Sequence, residues 1–262
     1  MVIFQVKLEI IFVLIFAVYL QLMHKQKASV KKDKRDIGQM FDSIAWRYDF
    51  LNHLLSFGID RKWRRKTVDK IRSKYSNPII IDVATGTADL ALEAVNAEPS
   101  KITGIDISEK MLDLGRQKIK ALGYENIIEL IKCDSEKIFF EDNSFDVAMA
   151  AFGVRNFSDP VKGLSEMKRV IRTGGMVLIL EFSKPEGFLF KHVYNFYFGN
   201  LLPLLGSLFS KHKKAYRYLN ESVMDFADNE KFIQIMKKAG LSEITQERMT
   251  GGIATIYSGV KK

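Results

Sequence analysis

Cysteine and histidine are scarce in this sequence of 262 residues. The single cysteine, Cys133, excludes an internal disulfide, and the four histidines show no spacing typical of metal ligands. A chain without disulfides fits a reducing compartment. We therefore expect no metal centre and a cytoplasmic location.

Two phosphate-binding motifs are also missing, since the chain contains neither G-x-G-x-x-G nor G-K-[ST]. This absence argues against a dinucleotide site or a P-loop. Internal repeats, low-complexity linkers and a second domain boundary are absent too, and the length suits one α/β domain with modest additions.

A long uninterrupted hydrophobic run is the third absence. The apolar run of residues 10–20 is preceded by Lys7 and Glu9, and it is shorter than the roughly 20 residues of a spanning helix. Two interpretations of the hydrophobic segment 1–22 stay open, a marginal anchor or a misassigned start upstream of Met23. A secretory signal is disfavoured because no small-residue cleavage site follows.

Positive charge is in excess, with a net charge of +9. Lysine and arginine concentrate in residues 25–35 and again in residues 61–74. Such clusters favour contact with an anionic surface, either membrane headgroups or nucleic acid, although a solvated basic helix face explains each cluster equally well.

The stretch of residues 79–89, IIIDVATGTAD, has the pattern of a strand, a tight loop and a helix start. In a parallel sheet such a loop lies at the carboxyl end of its strand, where ligands bind. Gly86 permits close backbone approach, and Asp82 and Asp89 place negative charge on either side of the turn. These carboxylates would repel a pyrophosphate but not a cationic ligand.

A second predicted strand, residues 102–106, ends in Asp106, an acid placed to accept hydrogen bonds from a ribose diol. Together with the acid-flanked loop it indicates a nucleoside that carries positive charge and no phosphate. S-adenosylmethionine fits that description. The alternative is that Gly86 only ends a strand and that Asp106 only caps the helix after Ser108.

Alternating strand and helix patterns continue to the C-terminus and predict a doubly wound, mostly parallel seven-stranded α/β sheet. The last two strands are expected to pair as a hairpin at the sheet edge, which adds an antiparallel strand. The further predicted helices are residues 108–122, 160–171 and 229–240, and the further strands are residues 127–132, 145–150, 176–181, 242–248 and 253–260.

Two segments flank or interrupt this alternation. The basic N-terminal part, residues 23–75, contains two predicted helices that can cover the strand ends, although core packing explains their periodicity as well. Within the main domain, residues 76–262, the insertion 186–212 is dense in aromatic residues. It is expected either to pack in the core or to form an apolar surface.

Three separated segments resemble the ubiquinone/menaquinone C-methyltransferase family, within the class I S-adenosylmethionine-dependent methyltransferases. They are YDFLNHLLSFGIDRKW at 48–63, FGVRN at 152–156 and RVIRTGG at 169–175, which runs on to LEFSKP at 180–185. The order of the three segments is that of the family, and the likeness is greatest to the demethylmenaquinone methyltransferases. Departures from the family's usual residues stand at Asp60, Ala88, Ala151 and Thr173.

The resemblance implies that S-adenosylmethionine contacts Thr87, Asp106, Asp134 and Ser135. Asp82 and Gly86, which precede Thr87 at the first strand end, are further candidates for binding the cofactor. It places the methylation of a ring carbon near Arg155 and Asn156, with Arg155 stabilising a phenolate-like oxygen. An ion pair to an acid at a strand end is the alternative for Arg155. Asp60 and Tyr48 are the candidates, beside Asp49 or a bound water, for the group that removes a proton.

By the same resemblance the substrate is demethylmenaquinol and the product menaquinol. A lipid substrate together with the basic clusters predicts peripheral contact with an anionic membrane, at the inner face of the cell membrane, and no nucleic-acid partner. A homodimer is one option for the oligomeric state. Two other functions stay open, an RNA methyltransferase and a non-catalytic quinone- or membrane-binding protein.

Overall fold

The computed structural model describes residues 38–39, 41–42, 45, 58–183, 222 and 225–262. Its main elements alternate along the chain, as the sequence pattern predicts. The helices are α1 (Ile59–Arg72), α2 (Asp89–Ala94), α3 (Glu109–Leu122), α4 (Pro160–Val170) and α5 (Glu230–Lys238). The strands are β1 (Ile79–Val83), β2 (Lys101–Asp106), β3 (Ile128–Lys132), β4 (Phe145–Ala151), β5 (Ile171–Phe182), β6 (Ser242–Met249) and β7 (Ala254–Val260).

The seven strands form one sheet in the order β3-β2-β1-β4-β5-β7-β6. Strands β1 to β5 run parallel, whereas β7 pairs antiparallel with both β5 and β6. The predicted sheet and its edge hairpin are therefore confirmed. The order reverses between β1 and β4, so a crevice opens at the carboxyl ends of the strands there.

Both faces of the sheet are buried. Alternate residues of the central strands point to opposite faces, so Ile80 packs with α1, α2 and α3, whereas the adjacent Ile81 packs with α4 and α5. This two-sided burial explains why β1 and β4 are continuous apolar runs in the sequence. It also holds the carboxyl ends of the strands rigidly beside one another.

The start of β5 differs from the prediction, which continued the preceding helix to Ile171 and began the strand at Met176. In the structure Ile171 already pairs with Phe145, and the Gly174 N–H donates to the Lys261 carbonyl at 2.8 Å. Because these partners are distant in sequence, the local sequence pattern does not predict that the strand begins at Ile171.

Several predicted features lie outside the described residues. They include the hydrophobic segment 1–22, the basic cluster 25–35, Tyr48 and the aromatic insertion 186–212. Of the two predicted N-terminal helices, the second is α1. Among the described residues no helix is long and apolar enough to cross a bilayer.

Candidate functional site

A cleft of about 970 Å³, measured with its open mouth, lies at the carboxyl ends of β1 to β4. Acidic residues dominate its polar lining, namely Asp82, Asp89, Asp106, Asp134 and Glu136. The remaining lining includes Phe41, Leu90, Met111, Phe152 and Phe157.

The loop after β1 forms one wall of the cleft. Gly86 has a φ of 57°, in the left-handed region that glycine adopts without strain. Ala88 has a φ of 67°, which costs a residue with a Cβ roughly 1–2 kcal/mol. Glycine would adopt this backbone conformation without that cost.

Asp106 ties the first two strand ends together. One carboxylate oxygen accepts the Gly86 N–H and the other accepts the Ser108 N–H, both at 2.9 Å. Ser108 in turn is the N-cap of α3. The helix cap is therefore Ser108 and not Asp106. Each Asp106 carboxylate oxygen has a second lone pair, and Asp106 also lines the cleft. Burial raises the pKa of this carboxyl above its usual value.

Asp82 is fully buried at the end of β1. Its Oδ2 accepts a hydrogen bond from the Thr85 hydroxyl at 2.6 Å, whereas its Oδ1 has no hydrogen-bond partner. Burial raises the pKa of Asp82 to about 7, and the Thr85 hydrogen bond opposes that rise. A buried acid with an unsatisfied oxygen at a cleft is suited to a cationic or hydrogen-bond-donating ligand.

The far end of the cleft is formed by the loop after β3. Asp134, Ser135 and Glu136 line it, next to Cys133. Asp134 accepts the Glu136 N–H at 2.9 Å, which fixes the turn. Burial raises the pKa of the Cys133 thiol, so the thiolate is disfavoured.

The turn after β4 supplies the opposite end. Gly153 is required there, because a Cβ at this residue would lie 2.6 Å from the Ala84 Cβ. Phe152 has a φ of 56°, a strained value for a bulky side chain, and stacks on Phe182 at 4.4 Å between ring centroids. Asn156 and Phe152 both line the cleft.

Arg155 forms a buried ion pair with an acid of β5. The side chain is buried, is absent from the cleft wall and pairs with Glu181 of β5 at 2.8 Å. It also donates to the Phe152 carbonyl. The structure therefore shows the alternative, an ion pair to an acid at a strand end, and the contact of Arg155 with the methyl acceptor stays a prediction.

Asp60 likewise lies outside the cleft wall. Its carboxylate accepts a hydrogen bond from Arg64, one turn later in α1, at 2.5 Å, and both side chains are buried. The proposed proton acceptor is thus better explained as the partner of Arg64. Tyr48, the other candidate, lies outside the described residues.

Arg64 is a cleft residue that sequence reasoning missed. It lies on the buried side of α1 with Ile59, Trp63 and Thr67. An arginine on the apolar face of an amphipathic helix was the available signal, since buried charges need partners. Besides Asp60, its guanidinium pairs with Asp89 at 3.2 Å.

Asp89 connects this arginine to the cofactor loop. Lys118 of α3 pairs with Asp89 and donates to the Thr87 hydroxyl at 3.1 Å. A chain of charged groups therefore runs from α1 through α2 to α3 behind the loop. Among all the described residues, no three His, Cys, Asp or Glu side chains lie close enough together to bind a metal ion.

This sheet order with one antiparallel strand, and an acid-lined cleft at the strand ends, define the fold of S-adenosylmethionine-dependent methyltransferases. A methyltransferase of that class from Thermotoga maritima superimposes with a TM-score of 0.57 at 18% identity, covering 86% of this chain and 99% of the other. A phosphoethanolamine N-methyltransferase from Haemonchus contortus, solved with S-adenosyl-L-methionine, gives 0.61 at 17% identity, covering 89% and 60%.

Comparison of the sequence identifies the family within this class. The model of the ubiE/COQ5 methyltransferase family matches residues 27–261, and the chain belongs to that family. It is 51% identical to a ubiquinone/menaquinone biosynthesis C-methyltransferase of Geotalea daltonii, over 86% of this chain and 96% of that protein. It is 42% identical to a demethylmenaquinone methyltransferase of Bacteroides fragilis, over 88% and 94%. The predicted family and enzyme class are thereby confirmed.

Proposed function

We propose that this enzyme transfers the methyl group of S-adenosylmethionine to a ring carbon of demethylmenaquinol, giving menaquinol. The names of the Geotalea and Bacteroides relatives support this substrate class. The observation that carries the proposal is the cleft itself, where acids suited to a cationic nucleoside meet aromatic side chains suited to a quinol ring.

The residues at the β1 and β2 ends fit the cofactor. Asp106 lies where a ribose diol can donate to its carboxylate while the carboxylate still accepts the Gly86 N–H. Asp134 and Ser135, one strand further on, are assigned to the adenine end. The five carboxylates of the lining offset the positive charge of a sulfonium.

The residues at the β4 end fit the acceptor. Phe152 and Phe157 line the cleft there and provide an apolar wall against an aromatic ring. Asn156 lies beside them, and we assign it the task of orienting a ring hydroxyl through a hydrogen bond. S-adenosylmethionine supplies the electrophilic methyl group when bound, and the protein excludes water and aligns the ring carbon with it.

The RNA methyltransferase alternative is disfavoured by two observations. Ring-carbon methylation of cytosine uses a cysteine nucleophile, whereas Cys133 is buried with a raised pKa. Part of the basic cluster in α1 is engaged within the domain, because Arg65 pairs with Glu93, and both Lys66 and Lys70 pair with Glu247.

The test is a transfer assay with methyl-labelled S-adenosylmethionine, offered extracted lipid quinols and total RNA in parallel. We expect label in the lipid fraction and none in RNA. Replacing Asp106 by Asn should raise the KM for the methyl donor by at least about tenfold, because a charge-assisted hydrogen bond contributes about 1.5–3 kcal/mol. Asp113→Asn, at an exposed site on α3, is the matched control and should leave KM unchanged.

The outcomes separate the three functions. Label in RNA would establish the nucleic-acid alternative instead. Tight binding of the methyl donor by the wild type, without transfer to any quinol fraction, would favour a non-catalytic binding protein. Loss of activity in both Asp106→Asn and Asp113→Asn would contradict the assignment of Asp106.

We also propose that the enzyme works as a peripheral protein at the inner face of the cell membrane. A lipid quinol is insoluble in water and lies in the membrane, so the enzyme must bind the ring that accepts the methyl group at the membrane surface. Arg61 and Lys62 are exposed on α1, the helix whose other side contributes Arg64 to the cleft. These side chains are suited to contact with anionic headgroups.

A further inference from the structure

We infer that Arg64 binds the α-carboxylate of the methionine part of S-adenosylmethionine and selects ligands that carry it. The inference rests on the proposed function, since it names a residue for that cofactor. Neither the sequence motifs nor the family resemblance assigns Arg64 to the site.

Charge in the cleft is the first argument. Among the described residues that line it, Arg64 alone has a cationic side chain, whereas five side chains are acids. The methionine part of the cofactor is a zwitterion, with a carboxylate and an ammonium group. Without a cation, this lining would repel the carboxylate at short range.

Position is the second argument. The adenine and ribose are assigned to the ends of β3 and β2, which adjoin in the sheet order β3-β2-β1-β4. Neighbouring strands lie about 4.8 Å apart, so the end of β1 is roughly 10 Å from that of β3. Arg64 reaches the cleft beside Asp89, the residue that starts the helix after β1. A cofactor bound along these strand ends would therefore have its methionine part on that side.

Restraint of the side chain is the third argument. Arg64 is only 6% exposed and is held by Asp60 at 2.5 Å and by Asp89 at 3.2 Å. A guanidinium presents five N–H donors in a fixed fork, so it can bind a further carboxylate beside these two. A group already ordered by its neighbours loses little entropy when the ligand arrives.

The experiment measures dissociation constants by titration calorimetry for three ligands. They are S-adenosylmethionine, its decarboxylated form, and 5′-methylthioadenosine, which lacks the amino-acid part. The acid-rich cleft alone would favour the more cationic decarboxylated form. We expect the wild type instead to bind S-adenosylmethionine about tenfold to a hundredfold more tightly, as a charge-assisted contact provides.

Arg64→Gln should abolish this preference while the affinity for 5′-methylthioadenosine stays at the wild-type value. Arg65→Gln is the matched control, since that side chain is 71% exposed on the same helix and pairs with Glu93. It should keep the preference. Arg64→Lys retains the charge but not the fork, and should keep only part of the preference.

The inference is overturned if Arg64→Gln keeps the wild-type preference, or if the wild type shows none. Should Arg64→Gln fail to fold, Arg64→Lys decides, and an unchanged preference there overturns the inference. A wild type that binds none of the three ligands would refute the proposed cofactor itself, a different result from a lost preference.

Discussion

At the scale of single residues, Asp82 shows how burial sets chemistry. The sequence places an acid at the end of β1, but only the packing removes it from water and leaves Oδ1 without a hydrogen-bond partner. The raised pKa of Asp82 follows from that burial. The same packing puts Ala88 in a left-handed conformation and Phe152 in a strained one. Such strain gathers at functional sites.

The pKa of Asp82 leads to a prediction about stability. The pKa is about 7 in the folded state against 3.8 for the free side chain, so the folded protein keeps a proton that the unfolded chain releases. Between about pH 4 and pH 7, stability should therefore fall as the pH rises, by on the order of 4 kcal/mol for this group.

Asp82→Asn removes that titration, so the variant should gain stability relative to the wild type between pH 5 and pH 8. Urea unfolding at the two pH values measures the difference. Asp113→Asn, an exposed acid on α3, serves as the control and should show a pH dependence close to that of the wild type. If the stability of Asp82→Asn changed with pH as that of the wild type does, Asp82 would be ionised in the folded wild type over this whole pH range.

At the scale of elements, Glu181 of β5 braces the turn that follows β4. Glu181 accepts the Arg155 backbone N–H at 3.2 Å and its guanidinium N–H at 2.8 Å. The 3-10 turn Val154–Asn156 is thereby fixed on the sheet, and Asn156 is held in the cleft wall. Through these contacts the Arg155–Glu181 pair fixes the backbone of the turn.

Glu181→Gln should destabilise the protein by about 3–5 kcal/mol, because the Arg155 charge would stay buried without its partner. The double variant with Arg155→Met and Glu181→Leu removes both charges and should recover most of this loss. Denaturant unfolding of Glu181→Leu, Arg155→Met and the double variant gives the coupling energy. Glu243→Gln, an exposed acid on β6 paired with Lys262, is the control. A loss in the double variant equal to the sum of the two single losses would show that the pair is not coupled.

At the scale of the whole molecule, some basic side chains form ion pairs within the domain and others are exposed to solvent. In α1, Arg64, Arg65, Lys66 and Lys70 form ion pairs with acids of the domain. Arg61, Lys62 and Arg72 are exposed. A net charge of +9 alone therefore overstates the surface available to an anionic partner. The homodimer option stays a prediction, which light scattering tests.

Membrane contact is tested with vesicles that contain phosphatidylglycerol. Replacing both Arg61 and Lys62 by Gln should weaken binding by roughly thirtyfold, since each basic residue near an anionic surface contributes about 1 kcal/mol. The control replaces Lys237 and Lys238, two exposed lysines of α5, by Gln. Cosedimentation at low and high salt measures the effect. Equal weakening in both double variants would point to net charge rather than to α1.

The sequence alone determined the elements and the place of the cleft. Strand and helix periods are local, because side chains two or about four residues apart share a face, so burial leaves its mark on the nearby sequence. The short loop after β1 and the acid ending β2 are equally local. These local patterns predict that Asp82, Gly86, Thr87 and Asp106 lie at the strand ends.

Only the tertiary structure decided the partners of the charges. Arg155 meets Glu181 across 26 positions, and Arg64 meets Asp89 across a strand and a loop. Ion pairs between distant residues leave no periodic pattern in the sequence. The local sequence therefore does not show which distant carboxylate lies near a given arginine in the folded protein. Arg64 was missed as a cleft residue for that reason, and the partner of Arg155 could not be named. The Asp60–Arg64 pair is by contrast local, since the two residues lie four positions apart on α1.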